Sequence, residues 1–198
     1  MNLKNLCLIV YTDASLANVT ESSGIRVKTQ GGVVIFLCER PKFACCIKIG
    51  KKFNRGQYKI EKTRACLIYF SSKRIRRVCP STLTAETVML ASAVDRAISL
   101  KLIFQKVLGC DVPLHFLTDC ASLVEHLAAY VGKLTSKRLQ IDLEILRESL
   151  DTNLVDTIGH CPSELNYGDE LTKVLKESAI EKAMSSNVLD LPYHEGQN

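Results

Sequence analysis

Nowhere in the 198 residues does an apolar run approach the ~20 needed to cross a bilayer, so no membrane partner is expected. The N-terminal stretch MNLKNLCLIVYTDAS has an apolar run but no small-residue cleavage site after it, which predicts a strand rather than a signal peptide. No C-x-x-C spacing occurs among the nine cysteines, and Cys45 and Cys46 are adjacent, which argues against structural zinc. Their odd number, with most of them inside apolar runs where free Cys acts as a small hydrophobe, predicts a reducing compartment. Repeats at solenoid spacing are also missing. Acids are nearly missing from one segment: between Arg40 and Arg77 fall 13 of the 26 Lys and Arg, against Glu61 alone. The net charge of +5 is therefore concentrated there. Either this is a solvated basic face or loop, or it is a surface that tracks nucleic-acid phosphates.

What is present is the composition of one globular domain, 46% apolar and 24% charged, long enough to bury a core. Strands are expected at 5–13, 31–39 and 65–70, with polar loop between the first two and an irregular basic stretch over 40–64. A helix is expected over 82–108, apolar on most sides, with Ser81 as N-cap and Gly109 ending it. A strand at 112–119 is followed by a short helix with Leu123, Leu127 and Tyr130 on one face. Leu139, Leu143, Leu146 and Leu150 stripe an amphipathic helix over 137–150. A strand at 153–159 and a helix at 169–184, with Leu171, Val174, Leu175 and Ala179 inward, complete a domain spanning 1–184. Residues 185–198 read as a frayed tail. Strands first, then strands alternating with helices, make an α/β arrangement of mixed pairing.

One pattern occurs twice. LIVYTDASL (8–16) and LHFLTDCASL (114–123) each end an apolar strand at Thr-Asp before small residues and a Leu. If the 82–108 helix is the crossover between these strands, they lie parallel and adjacent, with Asp13 and Asp119 at the same sheet edge. Paired carboxylates raise each other's pKa unless a cation lies between them. The alternative, a helix or turn cap at each Asp, stays open, above all for Asp119. Two further acids stand in suitable places. Glu86 sits in the second turn of the long helix among Leu83, Ala85, Val88, Met89 and Leu90, where a solvated Glu is out of character. Asp169 opens the last helix, where capping alone would also justify an acid. Four acids from four elements form a hard oxygen cage suited to magnesium.

The motifs YTDASLAN (11–18), QGGVVIFL (30–37), SSKRIRRVCPSTLTAE (71–86), VPLHFLTDCASL (112–123), KRLQID (137–142) and ELNYGDELTK (164–173) carry a resemblance. In this order the chain resembles the ribonuclease H domain of copia-type retrotransposon polyproteins, fungal-like ones especially, from about Tyr11 to about Lys173. The resemblance implies a ribonuclease H-like α/β fold with a mixed five-stranded sheet flanked by helices. It implies a phosphodiester hydrolase that cuts the RNA strand of RNA–DNA hybrids using two magnesium ions roughly 4 Å apart, with manganese as a substitute. On matched positions Asp13 would bridge both ions, Glu86 and Asp119 would hold the leaving-group ion, and Asp169 the nucleophile-side ion. Lys73, Arg74, Arg76 and Arg77, with Lys137 and Arg138, would hold the hybrid's backbone without reading its sequence. A reverse transcriptase domain is a further implied partner, and the cytoplasm, a virus-like particle or the nucleus the implied location.

Several features depart from that family. Residues 38–66 are a longer basic, cysteine-bearing insertion. Tryptophan is missing altogether: Phe70 and His160 stand where the family usually has it. His160, nine residues before Asp169, invites comparison with the proton-shuttling loop histidine of other ribonucleases H. Packing under the loop is the reading favoured here. His126 is expected on a solvent face. A chain opening at Met1 suggests a fragment of a decayed element or a host gene derived from one. Two rival functions follow: a non-catalytic protein of this fold that binds RNA or hybrids, or an integrase-like nuclease whose glutamate follows the second aspartate, near Glu144 or Glu148.

Overall fold

The structure, a computed structural model, describes residues 3, 5–19, 28–41, 58–129, 136–173 and 177–193. A six-stranded mixed sheet organises them, in the order β5-β4-β1-β2-β3-β6. Strands β1 (Leu6–Val19), β2 (Lys28–Glu39) and β3 (Lys59–Ile75) form an antiparallel meander. Helix α1 (Thr82–Leu108) then carries the chain across to β4 (Leu114–Thr118), which pairs parallel with β1. After α2 (Ala121–Ala128) and α3 (Lys137–Asp151), β5 (Thr157–His160) pairs parallel with β4. Helix α4 (Ala179–Ser186) and strand β6 (Val188–Tyr193) close the order, β6 antiparallel to β3. This is the expected ribonuclease H-like α/β arrangement, with a sixth strand beyond the expected five.

Alternation along β1 splits the core in two. Leu8 and Val10 face α1, α2 and α3, packing with Leu90, Val94, Leu123, Leu143 and Leu146. Cys7, Ile9 and Tyr11 face the other way, against Phe36, Tyr167, Ala183 and Leu189. A central strand buried on both faces has to read as a continuous apolar run, as LCLIVY does. Helix α1 begins as expected, with Ser81 Oγ accepting from Thr84 N at 3.2 Å, and ends at Gly109 in the left-handed conformation, φ 65°. Buried Lys101 fastens α1 to Asp156 Oδ2 at 2.9 Å, and the same oxygen accepts from Leu114 N at 2.8 Å, so α1, β4 and the approach to β5 are tied together.

Several expectations are corrected. β3 extends well beyond 65–70, because alternate positions Thr63 and Ala65 are buried while Lys62, Arg64 and Cys66 between them face solvent. The expected 38–66 insertion thus includes the end of β2 and the start of β3; residues 42–57 lie outside the described residues. The expected 169–184 helix is replaced by a 3-10 turn, Tyr167–Leu171, and the separate α4. A second start signal explains the break: Ser178 Oγ accepts from Glu181 N at 3.0 Å, the first half of a Ser-x-x-Glu capping box, and Glu170 accepts from Ser178 Oγ at 2.6 Å and Ile180 N at 2.9 Å. Val174 and Leu175 lie outside the described residues, as does Tyr130. The expected frayed tail contains β6, whose alternating Leu189 and Leu191 are buried. Strand β5 starts later than 153, after a turn through Asn153 at φ 55°. No helix among the described residues is long and apolar enough to cross a membrane.

Candidate functional site

Parallel pairing of β1 with β4 ends at Thr12 level with Thr118, so the two Thr-Asp pairs lie side by side, Asp119 just past the end of β4 and Asp13 on the part of β1 that runs on beside β2. Thr118 in turn lies level with His160 of β5, which sends the following segment back over the same edge. The 3-10 turn Tyr167–Leu171 then packs on β1 and β2 and brings in Asp169. One carboxylate oxygen from each of Asp13, Asp119 and Asp169 lies within 4.8 Å of the others. Asp13 is buried at 2% exposure, whereas Asp119 and Asp169 are half-buried, so the cluster opens to solvent on their side.

Two glycines permit this close packing. A Cβ on Gly168 would lie 2.9 Å from Asp13 N and 3.0 Å from Thr12 C. On Gly32, which is level with Asp13, it would lie 2.8 Å from Gly168 O. Backbone thus meets backbone where any larger residue would push the turn off the strand.

Glu86 reaches the cluster from α1. Its Oε1 accepts from Ala14 N at 3.0 Å, and it is 3% exposed. It stands beside the three-aspartate group and not within it. Burial, then the negative charge of Asp13, push its carboxyl up to about 9, against the Ala14 hydrogen bond. Asp169 is raised to about 6, first by burial and further by Asp13 and Asp119, while the hydrogen bond and charge of Lys173 oppose the rise. Glu86 Oε2 and Asp169 Oδ1 are buried without a hydrogen-bond partner among the described residues. Unpartnered buried carboxylate oxygens are costly, and a cation is what satisfies them.

The open question of capping is resolved against it. Asp119 does not cap α2 with its side chain; Oδ2 accepts from Ser163 Oγ at 2.9 Å and Oδ1 from Asn166 Nδ2 at 3.2 Å. Asp169 caps no α-helix; its Oδ2 accepts from Lys173 Nζ at 2.8 Å.

Five further residues shape the site without a chemical signature of their own in the sequence. Asn166, 4% exposed, also donates to Thr12 O at 3.2 Å and accepts from Gly168 N at 3.1 Å. Thr172 Oγ1 donates to Asp13 Oδ2, and Lys173 Nζ lies 3.9 Å from Asp13 Oδ1. Gly168 and Ser163 complete the set. Asn-x-Gly before an acid is a turn signal, and it was the one available clue.

The expected nucleic-acid contacts separate into two kinds. Asp13 is level with Gly32, and Gly32 with Ser72, so the basic end of β3 begins about 10 Å, two strand spacings, from Asp13. Exposed Lys73, Arg74 and Arg76 line one shallow hollow there. Arg77 differs: its guanidinium is committed to Asp142 on α3 at 2.6 Å. That pair joins the end of β3 to α3, whose first turn exposes Lys137 and Arg138. The His160 ring stacks on Tyr58 at 5.8 Å between centroids, with Nδ1 hydrogen-bonded to the Tyr58 hydroxyl. His126 is half-buried, not on a fully solvated face. Glu144 and Glu148 lie on the exposed face of α3, outside the carboxylate cluster, which removes the integrase-like arrangement.

No family model and no curated protein matches the sequence. Among solved structures, the chain is similar to LC11-RNase H1 in complex with an RNA/DNA hybrid, at 19% identity over 89% of this chain and 99% of that one, TM-score 0.49. It is similar to LC11-RNase H1 isolated from compost by a metagenomic approach, at 19% identity over 90% and 98%, TM-score 0.49. The N-terminal ribonuclease H domain of rv2228c from Mycobacterium tuberculosis, fused to maltose-binding protein, is similar at 14% identity over 92% and 96%, TM-score 0.48.

Proposed function

We propose that the chain is a metal-dependent nuclease of the ribonuclease H type that hydrolyses the RNA strand of an RNA–DNA hybrid. The observation that carries this reading is the convergence of Asp13, Asp119 and Asp169 within 4.8 Å, from three separate elements, beside a buried Glu86. Origin in a copia-type retrotransposon, with a reverse transcriptase domain as partner, rests on the motif likeness.

The donor set fits divalent cations: hard carboxylate oxygens, two of them buried and unpartnered. Asp13, Asp119, Asp169 and Glu86 would hold magnesium, or manganese in its place, which supplies water activation and charge stabilisation of the departing oxygen. The chain's own residues supply the geometry. Asn166 and Ser163 fix the Asp119 carboxylate, and the Ala14 N–H fixes Glu86. A backbone phosphate would reach the cluster on the side of half-buried Asp119 and Asp169. Lys73, Arg74 and Arg76 would hold the hybrid's phosphates at the same sheet edge, with Lys137 and Arg138 as a further contact, which positions the substrate without reading bases. Discrimination for RNA would then come from groove shape and the 2′-hydroxyl.

A protein that binds hybrids without cutting them is the second reading, and the ammonium of Lys173 on Asp169 favours it, since a cation of the chain already sits on the cluster. Incubating a labelled hybrid with the protein and magnesium distinguishes the two. Cleavage that drops about a thousandfold in Asp13→Asn supports the nuclease. Tight binding without cleavage by the wild type overturns it.

A further inference from the structure

The four acids are not equally supplied with partners. Both oxygens of Asp13 face a donor or a cation, Oδ2 through Thr172 Oγ1 and Oδ1 through Lys173 Nζ at 3.9 Å. Asp169 Oδ2 receives Lys173 at 2.8 Å. Of the four acids, Asp169 and Glu86 each keep a buried oxygen, Oδ1 and Oε2, with no hydrogen-bond partner among the described residues. The ammonium therefore covers the Asp13–Asp169 side, while no ion pair to Glu86 occurs among the described residues. An ammonium is a compact point charge that sits among carboxylate oxygens much as a metal ion does. Lys173 reaches back from one helical turn beyond Asp169, and with its side chain 40% exposed it has solvent to swing into.

We propose that Lys173 is a built-in counter-ion that competes with one of the two divalent ions. The inference rests on the nuclease reading of the same site. In the free protein, one divalent ion loads on the Glu86–Asp119 side while Lys173 stays on Asp13 and Asp169. The second ion enters only when Lys173 leaves, and an arriving phosphate, itself an anion, gives the displaced ammonium a new partner beside the site. Charge balance runs the same way: four carboxylates are nearly matched by one divalent ion plus Lys173, and matched by two divalent ions once the ammonium departs. Loading of the second ion is thereby coupled to substrate.

Manganese binding to the full chain without nucleic acid, followed by calorimetry and by the paramagnetic signal of the free ion, tests this. Wild type should take one ion tightly. Lys173→Met should take two, or bind the second at least tenfold more tightly, and Lys173→Arg, which keeps the charge, should return to one. Lys173→Gln gives the same reading with a polar side chain. In chelator, Lys173→Met should melt below wild type, and saturating manganese should remove that difference. Identical stoichiometry and affinity in wild type and Lys173→Met, with Asp13→Asn abolishing binding in both, would overturn the inference and leave the nuclease reading standing. Binding in none of these proteins overturns the nuclease reading, and this inference with it.

Discussion

Asn166 holds Asp119 in place: one amide nitrogen donates to Asp119 Oδ1 and to the Thr12 carbonyl, each at 3.2 Å, joining the end of β4 to β1 through a single side chain. Its carbonyl oxygen accepts from Gly168 N, so the turn bearing Asp169 is fixed by the same residue. Asn166→Ala should cost about 1–3 kcal/mol, from two buried groups left unpaired, and should lower cleavage by more than its effect on hybrid affinity. Thermal melts paired with anisotropy binding to a hybrid check both parts.

Glu86 makes stability depend on pH with a definite sign. Its carboxyl ionises near 4.5 in the unfolded chain and at about 9 in the fold, so the folded state holds a proton that the unfolded state has released. The stability it contributes is full below about pH 4.5 and is lost as pH rises to about 9; Asp169, raised to about 6, adds to the loss at the acid end. In chelator the melting temperature should therefore fall between pH 5 and 9. Glu86→Gln, which keeps the oxygen facing Ala14 N, should flatten that fall and be more stable than wild type by ~1–3 kcal/mol at pH 9, while losing cleavage. A wild-type melting temperature that does not fall over this range would contradict the assignment.

Gly168→Ala should reduce cleavage and stability more than Gly31→Ala. The added methyl at 168 meets the backbone of Thr12 and Asp13, which cannot yield, and the cost should be about 1–3 kcal/mol. At Gly31 it meets the end of the Met89 side chain, a flexible thioether that can re-pack. Parallel urea titrations of the two variants rank them.

The basic residues should divide by assay. Replacing Lys73, Arg74 and Arg76 together by Ala should weaken hybrid binding and reduce the slope of log affinity against log salt by roughly 2–3, one for each phosphate no longer neutralised. Arg77→Ala should leave that slope nearly unchanged and lower the melting temperature, because it strands Asp142 on α3. Binding isotherms across a salt series separate the effects.

Local physics made the central strands, the long helix and the acid tips legible. A strand buried on both faces must be apolar throughout, and an apolar run that ends at Thr-Asp marks where the acid stands whatever the rest of the chain does. Helix α1 carried its own punctuation in Ser81 and Gly109. The basic run was harder to place, because a half-exposed strand with lysines on its outer positions looks irregular until its neighbours β2 and β6 are known. The break before α4 was written in Ser178 and Glu181 but was overridden by a continuous apolar stripe.

Sequence alone determined which residues were acids at strand ends and which faces had to be buried, since both follow from chain-local periodicity and chemistry. Only the tertiary structure decided that Asp13, Asp119 and Asp169 meet, that Glu86 stands beside them, that Arg77 is held by Asp142, and that Lys173 lies on the cluster. Those facts depend on parallel register between strands a hundred residues apart and on two glycines that let backbones touch, and neither leaves a periodic trace in the chain.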